Sequence, residues 1–589
     1  MRAFDDNWSR TGIFPDGETL DVNSALDTGI AKARTVQVAR NPFLTHYDVD
    51  SEITFKKRCM SKQEIMVHAQ IGYRNFEKTR QAYAEIHDSI TTKGGRVDRY
   101  GICLDWSMGY PASQRKGRPK GTGLILKDVE QYQHLTSAAP VAPHFGDFVL
   151  GMPAALENTV AALSAGSTAI GNIGQYFTFR LPDWNDDLAS TQATVSALAL
   201  CANQPVDILI HSNLDDGFAA LFSDLSCALG AVLLEQYIVT DLMGCQIGHC
   251  FGHTFSDPVT RWAFQRALAR IQKSPGTMIY GNTTSYGADI ASNYAALASY
   301  LNIDIAALRY EHTGHAINPV PVTEALRIPD VNEIIDASLF ANELIRRSEP
   351  VTTFINPDIT DPVIDSLIDG AYTFFKNVMS AFENRGIDTN NAIEMLLGLK
   401  RVGARRLEIL YGPGEPDDSI PNKRHPVVQT PVIQELDSAA RSILDNLGAI
   451  AETISNAKLS ICVATTDVHE YGKLVMESVL RGLNVTILDG GVSTDPDKLA
   501  DFAVKSGAHA IALSTYNGVA LSFTTKLTSH LKEQNASISV YIGGKLNQIP
   551  EDSNSSLPVD VSKEIENNGV TPCTTIEEMI RSIERKALT

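Results

Sequence analysis

The chain has 589 residues, of which 43% are hydrophobic, so it can bury two or more cores and its length predicts several domains. Its formal net charge is -19, and no basic stripe with interleaved aromatic residues is present, which argues against a nucleic-acid partner. The first ten residues carry charges where a signal peptide has an apolar run, and no run of about 18 uncharged apolar residues occurs. We therefore expect a cytoplasmic protein with no membrane partner.

Residues 1–60 are polar with little periodicity, and we interpret them as an N-terminal arm. Residues 61–411 alternate short apolar runs with longer helical patterns, such as 154–165 and 214–229. This alternation predicts an α/β fold of the (β/α)8 TIM barrel type, with its active site at the carboxyl ends of the strands. The predicted strands are 97–104, 140–150, 167–173, 206–211, 231–239, 277–280, 303–310 and 351–355.

Residues 412–431 are rich in Pro, Gly and charge and are interpreted as an interdomain linker. In residues 432–589 a helix at 432–456 precedes a compact series of strands and helices. The predicted strands are 459–464, 485–488, 510–514 and 539–542. Polar and glycine-rich loops recur at one edge, which predicts a doubly wound, flavodoxin-like (Rossmann-like) sheet able to accept a large planar cofactor. No GxGxxG or GxxxxGK fingerprint occurs, which disfavours nucleotide binding by that route.

The loop after the first strand of this domain reads DVHEYG, with Asp467, His469 and Gly472. Such a loop can hold an imidazole at the carboxyl edge of the sheet, with Asp467 as its hydrogen-bond partner. Alternatively, His469 is a surface residue and Asp467 only caps the following helix. The pair Gly543 and Gly544 in a later loop is open to two readings, a cofactor slot or a plain turn.

The motifs DVHEYG, NVTILDGGV, ALSTYNG, YIGGKLNQ and NGVTPCTTIEEM together resemble the cobalamin-binding subunit of glutamate mutase, over nearly all of residues 457–585. The resemblance implies adenosylcobalamin as the cofactor and His469 as the lower cobalt ligand, in place of the cofactor's own base. It also implies that the serine loop and the GG loop line a slot for the displaced base. The residues that this resemblance assigns to the cofactor are Asp467, His469, Gly472, Ser514, Tyr516, Gly518, Gly543 and Gly544.

The barrel half resembles, less closely, the catalytic subunit of glutamate mutase or of 2-methyleneglutarate mutase. TEALRIPDVNEI is similar to the loop whose glutamate contacts the adenosyl ribose, which implies that Glu324 steers the deoxyadenosyl radical; alternatively, Glu324 is a solvated residue before a helix. The barrel half departs from glutamate mutase in four places. Ile102 and His144 stand where arginines are expected, the glycine-rich stretch IGNIGQYFTF has no acidic residue, and Val320 replaces a lysine.

Loss of the amine-binding carboxylate predicts an amine-free substrate, because a buried ammonium without a counterion is costly. Arg180 and Arg309 lie at predicted carboxyl strand ends and could clamp a carboxylate; alternatively, Arg309 pairs with Glu311. Tyr176, with Gln175 and Gln236, could complete a polar set, or Tyr176 could be a core aromatic. The candidate catalytic residues are Glu324, Arg180, Tyr176, His144 and Gln236.

His249 and His253 in GHCFGH would suit a metal if helical, but the glycines favour a loop that contacts the cofactor edge. The leading hypothesis is an adenosylcobalamin-dependent radical carbon-skeleton mutase, an isomerase with both subunits fused. Its predicted substrate is a small carboxylic acid such as 2-methyleneglutarate, and we expect a homo-oligomer, a dimer. The alternatives are glutamate mutase activity, a corrinoid methyltransferase and a non-catalytic cobalamin-binding protein.

Overall fold

The computed structural model describes residues 8–587 except 16–17, 119, 216–221, 256, 283–284, 421, 517 and 549–557. The N-terminal arm contains four helices: α1 Arg10–Ile13, α2 Val22–Ala33, α3 Pro42–His46 and α4 Glu52–Ser61. Each begins at a side chain that accepts a backbone hydrogen bond, Ser9, Asp21, Asn41 and Ser51. These caps explain helices in a segment with little apolar periodicity.

Eight parallel strands of the first domain form one sheet in the order β6-β5-β4-β3-β2-β1-β8-β7. A single parallel bridge between Phe251 and Ile279 joins its two edges, so the sheet is a nearly closed (β/α)8 TIM barrel. The strands are β1 Met66–Ile71, β2 Arg99–Ile102, β3 Ala142–Phe145, β4 Ala169–Ile170, β5 Leu209–Asn213, β6 Gln246–Cys250, β7 Met278–Ile279 and β8 Ala316–Ile317.

The helices of the first domain lie between the strands along the chain, except for the last four, which follow β8. They are α5 Phe76–Thr92, α6 Val129–Thr136, α7 Ala155–Ser164, α8 Gln175–Thr178, α9 Asp187–Ala202, α10 Leu225–Gln236, α11 Pro258–Ile271, α12 Ile290–Tyr310, α13 Val331–Arg347, α14 Pro357–Asn384, α15 Ala392–Val402 and α16 Ala404–Tyr411. A π-helical turn, Tyr237–Leu242, extends α10, and short 3-10 helices span Trp106–Gly109, Ala112–Gln114 and Glu349–Phe354. The predicted helix 214–229 begins only at Leu225, and residues 216–221 lie outside the described residues.

Three of the predicted barrel strands are wrong. Residues 231–239 and 303–310 belong to α10 and α12, and 351–355 falls largely in the 3-10 helix Glu349–Phe354. Leu225–Leu242 is long and apolar enough to cross a membrane, but 67% of it is buried inside the protein. A helix that is apolar all round cannot be told from a buried strand by periodicity. The true strands β1, β6 and β8 escaped prediction because they are short or carry polar residues such as His68 and Gln70.

The second domain contains a five-stranded parallel sheet in the order β10-β9-β11-β12-β15. Relative to the chain this is the order 2-1-3-4-5, the doubly wound flavodoxin-like arrangement, and it confirms the predicted fold. Two further strands of two residues each, β13 and β14, form a separate antiparallel sheet. The strands are β9 Ser460–Thr465, β10 Thr486–Gly491, β11 Ala510–Thr515, β12 Ser539–Gly544, β13 Asn547–Gln548, β14 Val559–Asp560 and β15 Thr571–Cys573.

Helices cover both faces of this sheet, and two further helices precede it. They are α17 Pro431–Leu447, α18 Ala449–Asn456, α19 Tyr471–Gly482, α20 Pro496–Lys505, α21 Ala520–Glu533, α22 Ser562–Asn567 and α23 Ile576–Ala587. The predicted helix 432–456 is therefore broken, at Gly448, which has φ 55°. The segment 412–431 follows the barrel surface, where Asp224 accepts hydrogen bonds from the backbone of Val427 (2.8 Å) and Val428 (3.2 Å).

Candidate functional site

The carboxyl ends of the barrel strands face the carboxyl edge of the second sheet. Arg180 connects the two domains, since its guanidinium donates to the carbonyl oxygen of Ser493 (3.0 Å) and to the carboxylate of Asp495. The backbone N–H of Asp183 donates to the same Asp495 at 2.9 Å. Arg180, predicted to clamp a substrate carboxylate, is thus engaged at the domain interface.

An apolar cluster seals the same interface. Val519, which follows the STYNG loop of the second domain, is buried against Trp106, Tyr110, Met152 and Leu181 of the barrel. Loops of both domains therefore meet at the carboxyl ends of the strands, which is where a parallel α/β fold places its ligands.

His469 lies on the loop between β9 and α19, at the carboxyl edge of the second sheet. Its Nδ1 is 2.6 Å from Oδ1 of Asp467, and its backbone N–H donates to the same oxygen at 3.0 Å. The other oxygen, Oδ2, accepts from the backbone N–H of Tyr516 at 2.7 Å. Because Nδ1 is bonded to Asp467, Nε2 is the nitrogen left to bind a metal.

Asp467 is held as a carboxylate. Burial raises its pKa, but the charge of His469 and the hydrogen bonds from His469 and from the backbone of Tyr516 outweigh burial, so the net shift is downward. An ionised partner fixes the tautomer of the imidazole and raises the donor strength of Nε2. The ring of Tyr516 lies 4.5 Å from the imidazole and tilted by 37°.

Close backbone packing explains two glycines of the predicted cofactor loops. A Cβ at Gly544 would lie 2.2 Å from the carbonyl oxygen of Thr515, and its φ is 107°. A Cβ at Gly472 would lie 2.3 Å from Oγ of Ser514. Gly544 and Thr515 are paired at the ends of β12 and β11. Gly472, in the first turn of α19, lies against Ser514 of β11, so the chain is closely packed at the carboxyl edge of the sheet.

We expect Gly544→Ala to destabilise the second domain more than Gly507→Ala does. Both glycines have positive φ, 107° and 68°, but nothing lies within 4 Å of a Cβ at Gly507. Each substitution costs about 1–2 kcal/mol for the left-handed backbone, and the clash at Gly544 adds about 1–3 kcal/mol. Urea unfolding of the two variants measures the difference, and equal midpoints would contradict the packing argument.

A small polar cavity lies at the carboxyl end of the barrel. Among its lining residues are Gln70, His144, Asp147, His211, Asn213 and Tyr280. Burial and the charge of Arg99 hold the pKa values of His144 and His211 well below the ordinary histidine value, so both rings are neutral. Burial raises the pKa of Asp147 to about 6, against a hydrogen bond from Asn172 that lowers it.

His253 and Tyr280 connect this cavity to the histidine loop of the second domain. Tyr280 lines the cavity, and its ring stacks on His253 with centroids 4.2 Å apart. Burial, followed by the positive charges of His469 and Arg261, lowers the pKa of His253 to about 3. His253 is therefore within range of the charge of His469, and it lies in a loop, as predicted.

The loop that carries His253 is fixed from two sides. Oδ2 of Asp215 accepts hydrogen bonds from the backbone N–H groups of Gly252 (2.9 Å) and His253 (2.8 Å). Arg261 donates to the carbonyl oxygens of Gly252 (2.8 Å) and Tyr280 (2.7 Å). Hydrogen bonds with the side chains of Asp215 and Arg261 thus fix the backbone at His253 and Tyr280.

Glu324 lies after β8, at the same end of the barrel. Burial raises its pKa to about 7, and the positive charge of Lys545 opposes that rise. Lys545 follows Gly543 and Gly544 in the second domain, and its ammonium lies 4.3 Å from the ring centroid of Tyr516. Glu324 therefore faces the loops that the resemblance assigns to the cofactor.

The other predicted substrate residues are not gathered at the cavity. Tyr176 is a core aromatic, 4% exposed and stacked on Phe177. Gln236 ends α10, and Arg309 lies in the last turn of α12, where it donates to the carbonyl oxygen of Ile345. Arg309 was predicted at a carboxyl strand end and Gln236 within the strand 231–239; both predictions are wrong, because the two residues lie at the ends of helices.

His249 lies on β6 and bonds through Nε2 to Glu235 at 3.0 Å, whereas His253 lies in the loop beyond. The two are not on a helix, and no group of three or more metal-ligating side chains occurs within the described part of the chain. Gln175 has a role that the sequence did not predict, since its Nε2 lies 3.5 Å from Oδ1 of Asp147. Asp147 itself was missed because the predicted strand 140–150 placed it inside a strand.

Comparisons with known proteins give little beyond this geometry. No family model and no curated protein matches the chain. Among solved structures, a novel cobalamin-binding protein from Desulfitobacterium hafniense DCB-2 is similar, with 18% sequence identity and a TM-score of 0.18. The match covers 22% of this chain and 58% of that chain, less than two thirds of its length. A match at this score establishes neither a family nor a function.

Proposed function

We propose that the protein binds cobalamin through Nε2 of His469 and catalyses a radical carbon-skeleton rearrangement in the barrel. The observation that carries the proposal is the fixed imidazole at the domain interface, with Nδ1 2.6 Å from a buried carboxylate. Imidazole is a suitable donor for a cobalt ion, and a carboxylate behind it is the usual support for a metal-bound histidine. The ordered loop motifs that resemble the cobalamin-binding subunit of glutamate mutase point to the same group.

When bound as adenosylcobalamin, the cofactor would supply an organic radical by homolysis of its cobalt–carbon bond. The protein's part is orientation and exclusion of water. His469 and Asp467 would hold the group from the second domain, while the GG loop would leave room for its tail. Glu324 would position the adenosyl ribose, and the cavity beside Tyr280 would hold the substrate away from solvent.

The sequence predicted a small carboxylic acid as substrate, amine-free because the amine-binding carboxylate is missing, with Arg180 and Arg309 as candidate clamps for its carboxylate. Arg180 is engaged with Asp495, and Arg309 is bonded to Ile345 on a barrel helix. No arginine or lysine is among the described residues that line the cavity. The proposal is therefore a mutase for a small polar substrate, without a commitment to a carboxylate.

Absorption and electron paramagnetic resonance spectra test the proposal. We expect adenosylcobalamin to bind with its own base displaced and a histidine on cobalt. A coupled cobalt and organic radical signal should appear only with the true substrate, in a screen that includes 2-methyleneglutarate, glutamate and primary amines. Binding of methylcobalamin without any radical signal would instead favour a methyltransferase or a carrier.

Glu324→Gln should leave cobalamin affinity within about twofold and reduce the substrate-dependent radical signal by about 100-fold, since a misplaced reacting group costs about that much. Glutamine keeps the size of the side chain and removes the acidic group whose pKa the charge of Lys545 lowers. The exposed residue Glu566 provides the control, Glu566→Gln, which should change neither quantity. An unchanged radical signal in Glu324→Gln would remove Glu324 from the site.

A further inference from the structure

We infer that the polar cavity at the barrel mouth binds a small protonated amine, held by Asp147, His144 and Asn213, rather than a carboxylate. The inference rests on the proposed function only in calling that amine a substrate. It is based on the polar atoms of two cavity residues, His144 Nε2 and Asn213 Oδ1, which are acceptors without a hydrogen-bond donor among the described residues.

His144 presents an acceptor to the cavity. Its Nδ1 lies 3.3 Å from the carbonyl oxygen of Ala169, which can only accept, so the proton of the neutral ring is on Nδ1 and Nε2 carries a lone pair. His144 is 1% exposed, and its Nε2 has no hydrogen-bond partner among the described residues. A Cβ at residue 146 would lie 2.6 Å from this nitrogen, so Gly146 leaves it uncovered.

Asn213 presents a second acceptor. It is 3% exposed, and its Oδ1 has no partner within the part of the chain that the structure describes. Its backbone N–H is bonded to Oδ1 of Asn172 at 2.8 Å, which fixes the end of β5. A buried acceptor without a donor costs about 1–3 kcal/mol, a cost that a ligand N–H would remove.

Asp147 supplies the charge. Its side chain lines the same cavity, where it accepts a hydrogen bond from Asn172 and lies 3.5 Å from the amide of Gln175; both partners are neutral and leave its charge uncompensated. The buried cation below it on the barrel axis, Arg99, is already paired with Glu52 at 2.8 Å. A carboxylate beside two neutral acceptors attracts an ammonium with three N–H donors and repels a carboxylate.

The cavity also predicts how amine binding depends on pH. His144 and His211 remain neutral because burial and Arg99 keep their pKa values well below 6.5. Asp147, with a pKa of about 6, is therefore the lining group that changes charge between pH 5 and pH 8. Amine affinity should rise as pH rises through about 6, because the carboxylate forms.

Ligand-observed NMR titration of the full chain, without cobalamin, tests the inference with butylammonium, butyrate and butanol. We expect butylammonium to bind at least tenfold more tightly than butyrate, and Asp147→Asn to remove that preference. The control Asp207→Asn changes an exposed acid before β5 and should leave it intact. The pH series on the unmodified protein needs no variant and guards against a folding defect.

Butyrate binding as tightly as butylammonium would overturn the inference, as would an unchanged preference in Asp147→Asn or a flat pH profile. Failure of amine binding in a protein that still binds cobalamin through His469 removes this inference alone. Amine binding in a protein that fails to bind cobalamin removes the proposed function alone.

Discussion

Replacing His469 with alanine is expected to weaken cobalamin binding at least about 100-fold, since loss of a supporting residue alone costs 10–100-fold in metal affinity. Any cofactor that remains should show the spectrum of cobalamin without a histidine on cobalt. The imidazole is 22% exposed and makes its described polar contacts with Asp467, so its removal leaves the sheet and the barrel folded. Isothermal titration and absorption spectra measure the two effects.

His530→Ala is the matched control for this experiment. His530 lies on α21 of the same domain, 38% exposed, beside Glu533 at 3.3 Å. Its removal should leave affinity and spectrum unchanged. Full cobalamin affinity in His469→Ala, with the native fold verified by circular dichroism, would refute the ligand assignment.

Replacing Asp304 with alanine is expected to destabilise the barrel by about 3–5 kcal/mol, because it leaves a buried guanidinium without its counterion. Arg261 and Asp304 are both 0% exposed and make two parallel contacts, at 2.7 and 2.8 Å. The same guanidinium holds the backbone of Gly252 and Tyr280. Denaturant unfolding of the barrel measures the loss.

The double variant Arg261→Met/Asp304→Leu separates stability from function. Apolar residues of similar volume should restore most of the stability, since a buried ion pair contributes little net. The double variant also lacks the hydrogen bonds from Arg261 to the carbonyl oxygens of Gly252 and Tyr280. The loop that carries His253 and the cavity beside Tyr280 should therefore be less ordered, so ligand binding should stay impaired. The control Asp365→Ala removes the exposed ion pair with Arg270 and should lower the free energy of unfolding by at most about 1 kcal/mol. If Asp304→Ala lowered it by the same amount, burial would not explain the effect.

Much of the second domain is predictable from the sequence. Its first four strands are short β-rich runs between glycine-rich loops, and the ends of each lie within three residues of their predicted positions. Asp467 and His469 are two residues apart, so their contact depends on local geometry alone. The short fifth strand, Thr571–Cys573, gave no such signal.

The barrel is predictable as a class but not strand by strand. The alternation of elements predicted eight strands, but three of the predicted strands are helical in the structure. Two of them were mistaken for strands because α10 and α12 are buried on most sides and carry little polar periodicity. This error assigned Gln236 and Arg309 to strands. It also hid β1, which carries Gln70 into the cavity.

By itself, the sequence determined the two parallel α/β folds, their order in the chain and the histidine loop with its carboxylate partner. Only the tertiary structure decided which groups share the cavity: Asp147 with His144 and Asn213, and His253 with His469. Local spacing fixes neighbours along a strand or loop, whereas these groups come from different strands and domains. Their contact depends on how the barrel closes and how the domains pack, and burial in that setting decides which of them carry charge.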